Sequence, residues 1–225
     1  MLAKKYRSRV VSIKNPFGCI YTLEFESLSG RFKYSPGQFL HLAIDSDYDG
    51  SGQWPESRCF SMQSNPDRST VLITYAVKGK FTLMMEQTLK TGSEVWLKLP
   101  YGELFTQDHN KSKTVFIAGG TGITPFLSLF TSESFSEYLN PSVYLGFKSK
   151  LYNIYNDELK VRNNCDLRIY YEDIEGFINI GQVFSKHGTE SSYFISGPPV
   201  MIKAFRQSLI DCGVPGKQVL TDEWE

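Results

Sequence analysis

The chain has 225 residues, of which 41% are hydrophobic and 14% aromatic, enough to build one or two apolar cores. Its 24 basic and 24 acidic side chains cancel, so no overall charge directs it toward nucleic acid or an anionic membrane. No stretch approaches the ~20 consecutive apolar residues of a membrane span. The four cysteines lack metal-ligand spacing. We therefore expect a cytoplasmic protein with free thiols and no metal centre.

The first hundred residues predict short β-strands separated by turns rich in glycine, proline, asparagine and aspartate. The predicted strands cover residues 9–14, 19–26, 39–44, 58–64, 70–77 and 94–99. One helix is predicted over residues 81–90, because Phe81, Met84, Met85 and Leu89 recur at helical spacing. Strands of this length and spacing are typical of an antiparallel β-barrel or sandwich.

After Phe105 the pattern changes to apolar strands that alternate with helices. Strands are predicted at residues 114–120, 142–147, 166–172 and 191–197, with helices from about residue 121 and over 153–160, 182–188 and 199–213. This alternation predicts a parallel sheet flanked by helices. We expect two domains, a β-barrel in residues 1–107 and an α/β domain in residues 108–225.

Three glycines, Gly119, Gly120 and Gly122, stand where the first apolar strand of the second half enters a helix, in IAGGTGITP. Ligands collect at the carboxyl ends of parallel strands, and the amides at a helix start favour phosphate. Nothing in the local sequence requires these glycines for packing, so they predict a ligand close to the backbone. Thr121 adds a hydroxyl donor, and Pro125 suits a first helical turn because it lacks an amide. A glycine-rich turn without a ligand is the alternative.

Two segments of the first half have matching chemistry. In RCFSMQS, strand alternation places Arg58 and Phe60 on one face, with Ser61 next to them. Arginine can bind phosphate through two parallel hydrogen bonds, and phenylalanine can cover a flat ring. In AVKGKFT, Gly79 and Thr82 stand at a strand-to-helix junction, where helix-start amides can hold phosphate. Taken alone, the first segment is an ordinary strand with one solvated arginine.

Together these motifs resemble the ferredoxin–NADP reductase superfamily of flavin-dependent reductases, over nearly the whole chain. RCFS resembles the family's R-x-[YF]-[ST] flavin motif, GKFT its G-x-x-[ST] pyrophosphate element, and LPYGELF the turn that closes its barrel. GGTGITP resembles its nucleotide phosphate loop, SGPPVM its C-G-P-x-x-M element, and TDEWE its acidic–aromatic C-terminus. The resemblance implies an antiparallel flavin-binding β-barrel followed by a Rossmann-like α/β domain with a parallel sheet.

The resemblance also implies a role for each matching residue. Arg58 would pair with a flavin phosphate or the ribityl chain, Phe60 would lie against the isoalloxazine, and Ser61 would donate a hydrogen bond near flavin N5. The remaining residues implied at the flavin are Cys59, Ala76, Val77, Lys78, Lys80, Phe81 and Thr82. Those implied at the nicotinamide dinucleotide are Gly119, Gly120, Thr121, Gly122, Thr124, Pro125, Ser196, Gly197, Pro198 and Met201.

Three of the implied residues are candidates for catalysis: Ser61, Ser196 and Trp224. Ser196 stands where the family usually has the cysteine of C-G-P, so hydride transfer is expected to be slower or differently tuned. Trp224 is a candidate lid on the flavin or its adenine, with an aromatic residue packed in a groove as the alternative. No long loop with an aromatic residue follows RCFS, so the sequence does not identify a platform for the adenine.

The activity implied is transfer of a hydride from NADH or NADPH to N5 of FAD, with FMN as the alternative flavin. Electrons would then leave to a ferredoxin, a flavodoxin or an oxygenase component, because the chain contains no cysteine-rich ferredoxin module. Glu172 or Asp173, after the third strand of the α/β domain, would repel a 2′-phosphate and favour NADH, whereas Lys148 and Lys150 favour NADPH; of the two nucleotides we expect NADH. Two other readings stay open: a free-flavin reductase, and a non-catalytic flavin subunit that relays electrons inside a larger complex.

Overall fold

A computed structural model of the chain describes residues 2–160 and 165–222. The described residues group into two compact units. The first unit comprises residues up to Glu103 together with Thr124–Ser132, and the second comprises Leu104–Ile123 and the described residues from Glu133 onward. Residues 124–132 thus group with the first unit, a feature that the single predicted boundary did not include.

The first unit is built on six strands and one helix of its N-terminal segment. These are β1 (Lys4–Phe17), β2 (Ile20–Ser27), β3 (Phe39–Ala43), β4 (Ser57–Ser61), β5 (Thr70–Ala76), α1 (Lys80–Thr88) and β6 (Glu94–Tyr101). The strands pair antiparallel in the order β4-β3-β6-β1-β2-β5. Just after β4, the Gln63 amide donates to the Leu72 carbonyl of β5 at 2.8 Å, which brings the two edges of the sheet together. The prediction of an antiparallel, barrel-like sheet is confirmed.

Strand alternation sends one face of this sheet into a continuous apolar core. The fully buried side chains include Val10, Leu23, Leu40, Ile73 and Leu97. The helix α1 adds Phe81 and Met85, which lie one turn apart on the same face and are 4% and 1% exposed. Met84 was predicted on that apolar face but is 36% exposed, because its neighbour Met85 already takes the position that faces the sheet.

The second unit is built on five parallel strands. They are β7 (Thr114–Gly119), β8 (Ser142–Phe147), β9 (Asp166–Tyr171), β10 (Ser192–Ser196) and β11 (Val219–Thr221), in the order β11-β10-β7-β8-β9. The helices of this half are α2 (Thr124–Phe130), which groups with the first unit, and α3 (Asn156–Lys160), α4 (Ile180–His187) and α5 (Pro199–Asp211). The predicted parallel α/β sheet is confirmed; β11 was not predicted.

The central strand β7 is buried on both faces, which explains its continuous apolar sequence. Val115, Phe116 and Ile117 are consecutive and no more than 1% exposed. β10 lies beside it in parallel register, with Ser196 opposite Ala118. The segments that follow these two strands therefore begin at the same edge of the sheet. None of the helices in the described residues combines the length and the hydrophobicity of a membrane-spanning segment.

Candidate functional site

Arg58 and the start of α1 form a positively charged corner of the first unit. The Arg58 guanidinium carbon lies 5.0 Å from the centre of the ring of Phe81, a residue in the first turn of α1. Glu56 accepts a 2.9 Å hydrogen bond from one guanidinium nitrogen, and the Arg58 side chain is 51% exposed. The amides of a first helical turn have no partner within the helix and carry partial positive charge. The other terminal nitrogen of Arg58 donates to the Ser57 carbonyl at 2.8 Å, and the half-exposed guanidinium beside such amides is suited to bind a phosphate group.

Thr82 caps the helix rather than facing a ligand. Its hydroxyl accepts hydrogen bonds from the amides of Lys78 at 3.0 Å and Gly79 at 3.1 Å, and donates to the Gly79 carbonyl at 3.0 Å. Phe81 is buried, so of the side chains predicted at a pyrophosphate only that of Lys80 is exposed. The backbone amides of residues 80–82 then provide the remaining donors. Val77 donates its own amide to the Cys19 carbonyl at 2.9 Å.

Strand β4 presents different chemistry on its two faces. Phe60 shares the face of Arg58, as alternation predicts, and its ring meets Tyr75 edge-on at 5.9 Å between centroids. Burial raises the pKa of Tyr75, so its hydroxyl stays protonated at neutral pH. On the other face, the Cys59 sulfur lies 3.5 Å from His41 Nε2. Ser61 pairs with Phe39 in register and, by alternation, shares the face of Cys59.

The Cys59–His41 pair is not set up as a reactive thiolate. Burial raises the pKa of Cys59, and Arg58 only partly offsets this. Burial, with the positive charge of Lys98, lowers the pKa of His41. Both groups are therefore neutral at physiological pH, which suits a packed, hydrogen-bonded pair.

In the second unit, packing requires two of the three glycines at the end of β7, which corrects the interpretation of the sequence. A Cβ atom on Gly122 would lie 2.5 Å from the backbone of Gly197, and one on Gly119 would lie 2.8 Å from Met201 Sδ. Gly197 itself has a φ of +150° and its Cβ would lie 2.8 Å from the Met201 methyl group. The segments GGTG and SGPPVM are thus pressed against each other after β7 and β10. The two segments are about 75 positions apart in the chain, so no local sequence pattern could predict this contact.

Gly120 is the glycine of this loop that packing does not explain. It has a φ of +55°, which favours glycine, and a Cβ there would meet nothing within 4 Å. The backbone next to it is therefore open to a ligand. A 3₁₀ turn over Gly120–Ile123 separates β7 from α2, so the strand does not enter an α-helix directly. Pro125 lies in the first turn of α2 as predicted, and both Thr124 and Pro125 are buried.

Ser196 is buried at the end of β10 and is bonded to the C-terminal segment. It is 2% exposed, and its hydroxyl donates to Asp222 Oδ2 at 3.1 Å. The Asp222 amide in turn donates to the Ile195 carbonyl at 3.0 Å, which continues the pairing of β11 with β10. Trp224, the third candidate for catalysis, lies outside the described residues. Asp222 belongs to the TDEWE motif, but the sequence did not predict its hydrogen bond to Ser196.

The edge after β8 and β9 carries charges of both signs. Glu172 is exposed, and its amide donates to the Phe147 carbonyl at 2.9 Å, so the residue is held directly at the end of the sheet. Lys148 lies 5.9 Å from the centre of the Tyr152 ring, and Lys150 lies 6.0 Å from that of Tyr171. Both lysines are thus held at aromatic faces close to this edge.

No protein-family model matches the chain. The reductase component of propane 2-monooxygenase from Mycolicibacterium smegmatis is 26% identical to it, over 97% of this chain and 67% of that protein. Sulfhydrogenase 2 subunit gamma from Pyrococcus furiosus is also 26% identical, over 98% of this chain and 84% of that subunit. The chain thus spans about two thirds of the first relative and most of the second.

Solved structures share the fold. A ferredoxin NADP+ reductase from Neisseria gonorrhoeae, with bound FAD and NADP, superposes with a TM-score of 0.80 over 99% of this chain and 98% of its own, at 17% identity. The ferredoxin reductase in carbazole 1,9a-dioxygenase superposes with a TM-score of 0.78 over 99% of this chain and 70% of its own, at 18% identity. At these identities the likeness establishes the fold alone.

Proposed function

We propose that the chain is a ferredoxin–NADP reductase-like FAD/NAD(P)-binding module, similar to oxygenase reductase components, that oxidises NADH and passes the electrons to a separate protein. The observation that carries this proposal is the presence of two phosphate-compatible sites in one chain. Arg58 and the first turn of α1 form one, and the open backbone at Gly120 is part of the other. The acceptor proposed is a ferredoxin, a flavodoxin or an oxygenase component.

FAD fits the first of these sites. The Arg58 guanidinium and the amides of residues 80–82 would hold its pyrophosphate, and Phe60 and the backbone of residues 76–78 would border its ring. When bound, a flavin supplies the redox chemistry, because it accepts two electrons from a nicotinamide and can release them one at a time. The protein contributes the position of its phosphates and the polarity around its ring.

The nicotinamide nucleotide fits the second site through backbone more than through side chains. Gly120 provides the close approach, and Thr121 lies next to it. Ser196 fixes the carboxylate of Asp222 through its hydroxyl instead of presenting the thiol that the family motif has at this position. We propose that Ser61 donates a hydrogen bond near the reacting atoms of the flavin and that Ser196 positions the carboxylate of Asp222.

Anaerobic mixing tests this function. The protein is loaded with FAD, freed of excess flavin, and mixed with NADH or NADPH while flavin absorbance is followed. We expect retained flavin to bleach within the dead time of manual mixing with NADH and more slowly with NADPH. Loss of the flavin on gel filtration, combined with NADH oxidation when free flavin is supplied, would contradict the proposal and support a free-flavin reductase.

The donor preference depends on Glu172. We expect Glu172→Arg to shift the ratio of kcat/KM for NADPH over NADH upward by about tenfold, because reversing one charge near a 2′-phosphate changes binding by roughly 1–2 kcal/mol. Steady-state assays with both nucleotides give this ratio. Glu133→Arg, the same change at another exposed position of the second unit, is the control and should leave the ratio unchanged. An unchanged ratio in Glu172→Arg would remove the assignment.

A flavin subunit that relays electrons within a larger complex is the second candidate. It is favoured by similarity to a protein whose name describes it as a subunit, and by the replacement of the family cysteine by Ser196. Retained flavin that neither nucleotide bleaches would support it and would contradict NADH oxidation by this chain.

A further inference from the structure

A groove of about 680 Å³ lies along the C-terminal half of α1 in the first unit. Met84, Thr88 and Leu89 form its helical side. Ile44, directly after β3, and Trp96 on β6 supply further apolar and aromatic surface. This groove is separate from the corner at Arg58, but the two share one helix. A helix of nine residues is about 13 Å long, so the groove begins within that distance of the first turn.

The loop that forms the opposite wall, residues 45–52, is held in place by the sheet. A Cβ on Gly50 would lie 2.5 Å from the Trp96 ring, and the Trp96 indole donates to the Tyr48 carbonyl at 2.9 Å. Lys5 donates to the Tyr48 hydroxyl and, at 3.1 Å, to the Gly50 carbonyl. The wall is therefore preorganised, which lowers the entropic cost of binding against it.

Acidic side chains outnumber basic ones at the rim of the groove. Four carboxylates line it, namely Asp45, Asp47, Asp49 and Glu94. Arg7 pairs with Glu94 at 2.7 Å, and Arg9 approaches the same carboxylate at 3.8 Å, so the charge of Glu94 is balanced. Lys5 adds one positive charge beside the loop, and the three aspartates carry the excess negative charge. The whole chain has no net charge, so this excess of negative charge is local. No three of the described Asp, Glu, His or Cys side chains are placed to hold a metal ion, and the loop is therefore not assigned as a metal site.

We propose that this groove docks a basic segment of the protein that accepts the electrons. Lysine or arginine side chains of the partner would face the carboxylates at the rim, while an apolar side chain between them would contact Met84, Leu89 and Ile44. Complementary charge speeds encounter and orients the partner, and the apolar floor supplies the affinity. The proposal rests on the proposed function, since it places the acceptor beside the helix whose first turn would hold the flavin.

Binding is tested with a fluorescein-labelled peptide of alternating lysine and leucine, followed by anisotropy on the full chain. We expect Asp45→Asn with Asp47→Asn to weaken binding about tenfold at low salt, and the difference from the unchanged protein to fall below about twofold at ~0.5 M salt. Asparagine keeps the side-chain oxygen that accepts the Asp47 amide at 2.9 Å, so the loop retains its turn. Met84→Ser should weaken binding about threefold at both salt concentrations.

The matched control removes two exposed carboxylates elsewhere, Asp67→Asn with Asp211→Asn. The proposal is overturned if the control weakens peptide binding as much as the groove variant, or if the groove variant binds like the unchanged protein. Because this measurement needs no flavin, it stands even if the proposed function fails.

Electron transfer is tested in parallel with the FAD-loaded chain under anaerobic conditions. Cytochrome c serves as a lysine-rich protein acceptor and ferricyanide as a small anionic one. We expect the groove variant to raise the KM for cytochrome c about tenfold and to leave NADH–ferricyanide turnover within about twofold. Absence of ferricyanide turnover in the unchanged protein would contradict the proposed function alone. Equal loss with both acceptors would overturn docking at this groove.

Discussion

Arg58→Ala is expected to weaken FAD binding by about 30- to 100-fold, because a charge-assisted pair of hydrogen bonds to phosphate contributes roughly 2–3 kcal/mol. The guanidinium lies over the Phe81 ring at the start of α1, and the Arg58 side chain is about half exposed. Titration of FAD against the apoprotein, followed by quenching of flavin fluorescence, measures the change. Arg58→Lys keeps the positive charge but loses the planar guanidinium, so its affinity for FAD should lie between those of the unchanged protein and Arg58→Ala.

Arg68→Ala is the control for this variant. Arg68 is also an exposed arginine of the first unit and pairs with a carboxylate, Glu24, at 3.3 Å, but that pair lies between β2 and the turn before β5. The Arg68→Ala variant should bind FAD with the affinity of the unchanged protein. Thermal melting of apo Arg58→Ala should match the unchanged protein within about 2 °C, because an exposed ion pair contributes little stability. Equal FAD affinity in Arg58→Ala and the unchanged protein would refute the flavin site.

Gly122→Ala is expected to lower the free energy of unfolding by about 3 kcal/mol, because the added methyl group would overpack against backbone that cannot move aside. The added methyl would lie 2.5 Å from Gly197 and 2.6 Å from the carbonyl carbon of Ser196. In a chain of this size the melting temperature should fall by roughly 6–12 °C. Differential scanning calorimetry of the apoprotein measures it.

Gly120→Ala is the matched comparison in the same loop. The added methyl would meet no atom within 4 Å, so the loss of stability comes only from placing alanine in a left-handed backbone conformation, which costs about 1–2 kcal/mol. The added group should nevertheless obstruct the open backbone and raise the KM for NADH about tenfold. A Gly122→Ala protein as stable as the original would show that the two loops are not packed as described, and an unchanged KM in Gly120→Ala would remove the nucleotide from this backbone.

Several elements could be read from the sequence because their signal is local. β8 spans Ser142–Phe147, the six residues predicted. A short apolar run bounded by polar residues predicts a buried strand with well-defined ends. The helix α1 was predicted within one or two residues, from apolar spacing at Phe81 and Met85. β11 was missed because three residues, Val219–Thr221, are too few to show any period. They become a strand only through pairing with β10.

The sequence by itself determined the fold class, the order of its elements and the motif residues, because periodicity and motif spacing are properties of neighbouring positions. Only the tertiary structure decided what those residues touch. It showed that Gly119 and Gly122 make room for the loop after β10, that Ser196 bonds to Asp222 26 positions away, and that Thr82 caps its own helix. The first two depend on distances between segments brought together by β-pairing, which are set by packing that no local pattern records. The third is local, but it depends on the direction in which the Thr82 side chain turns.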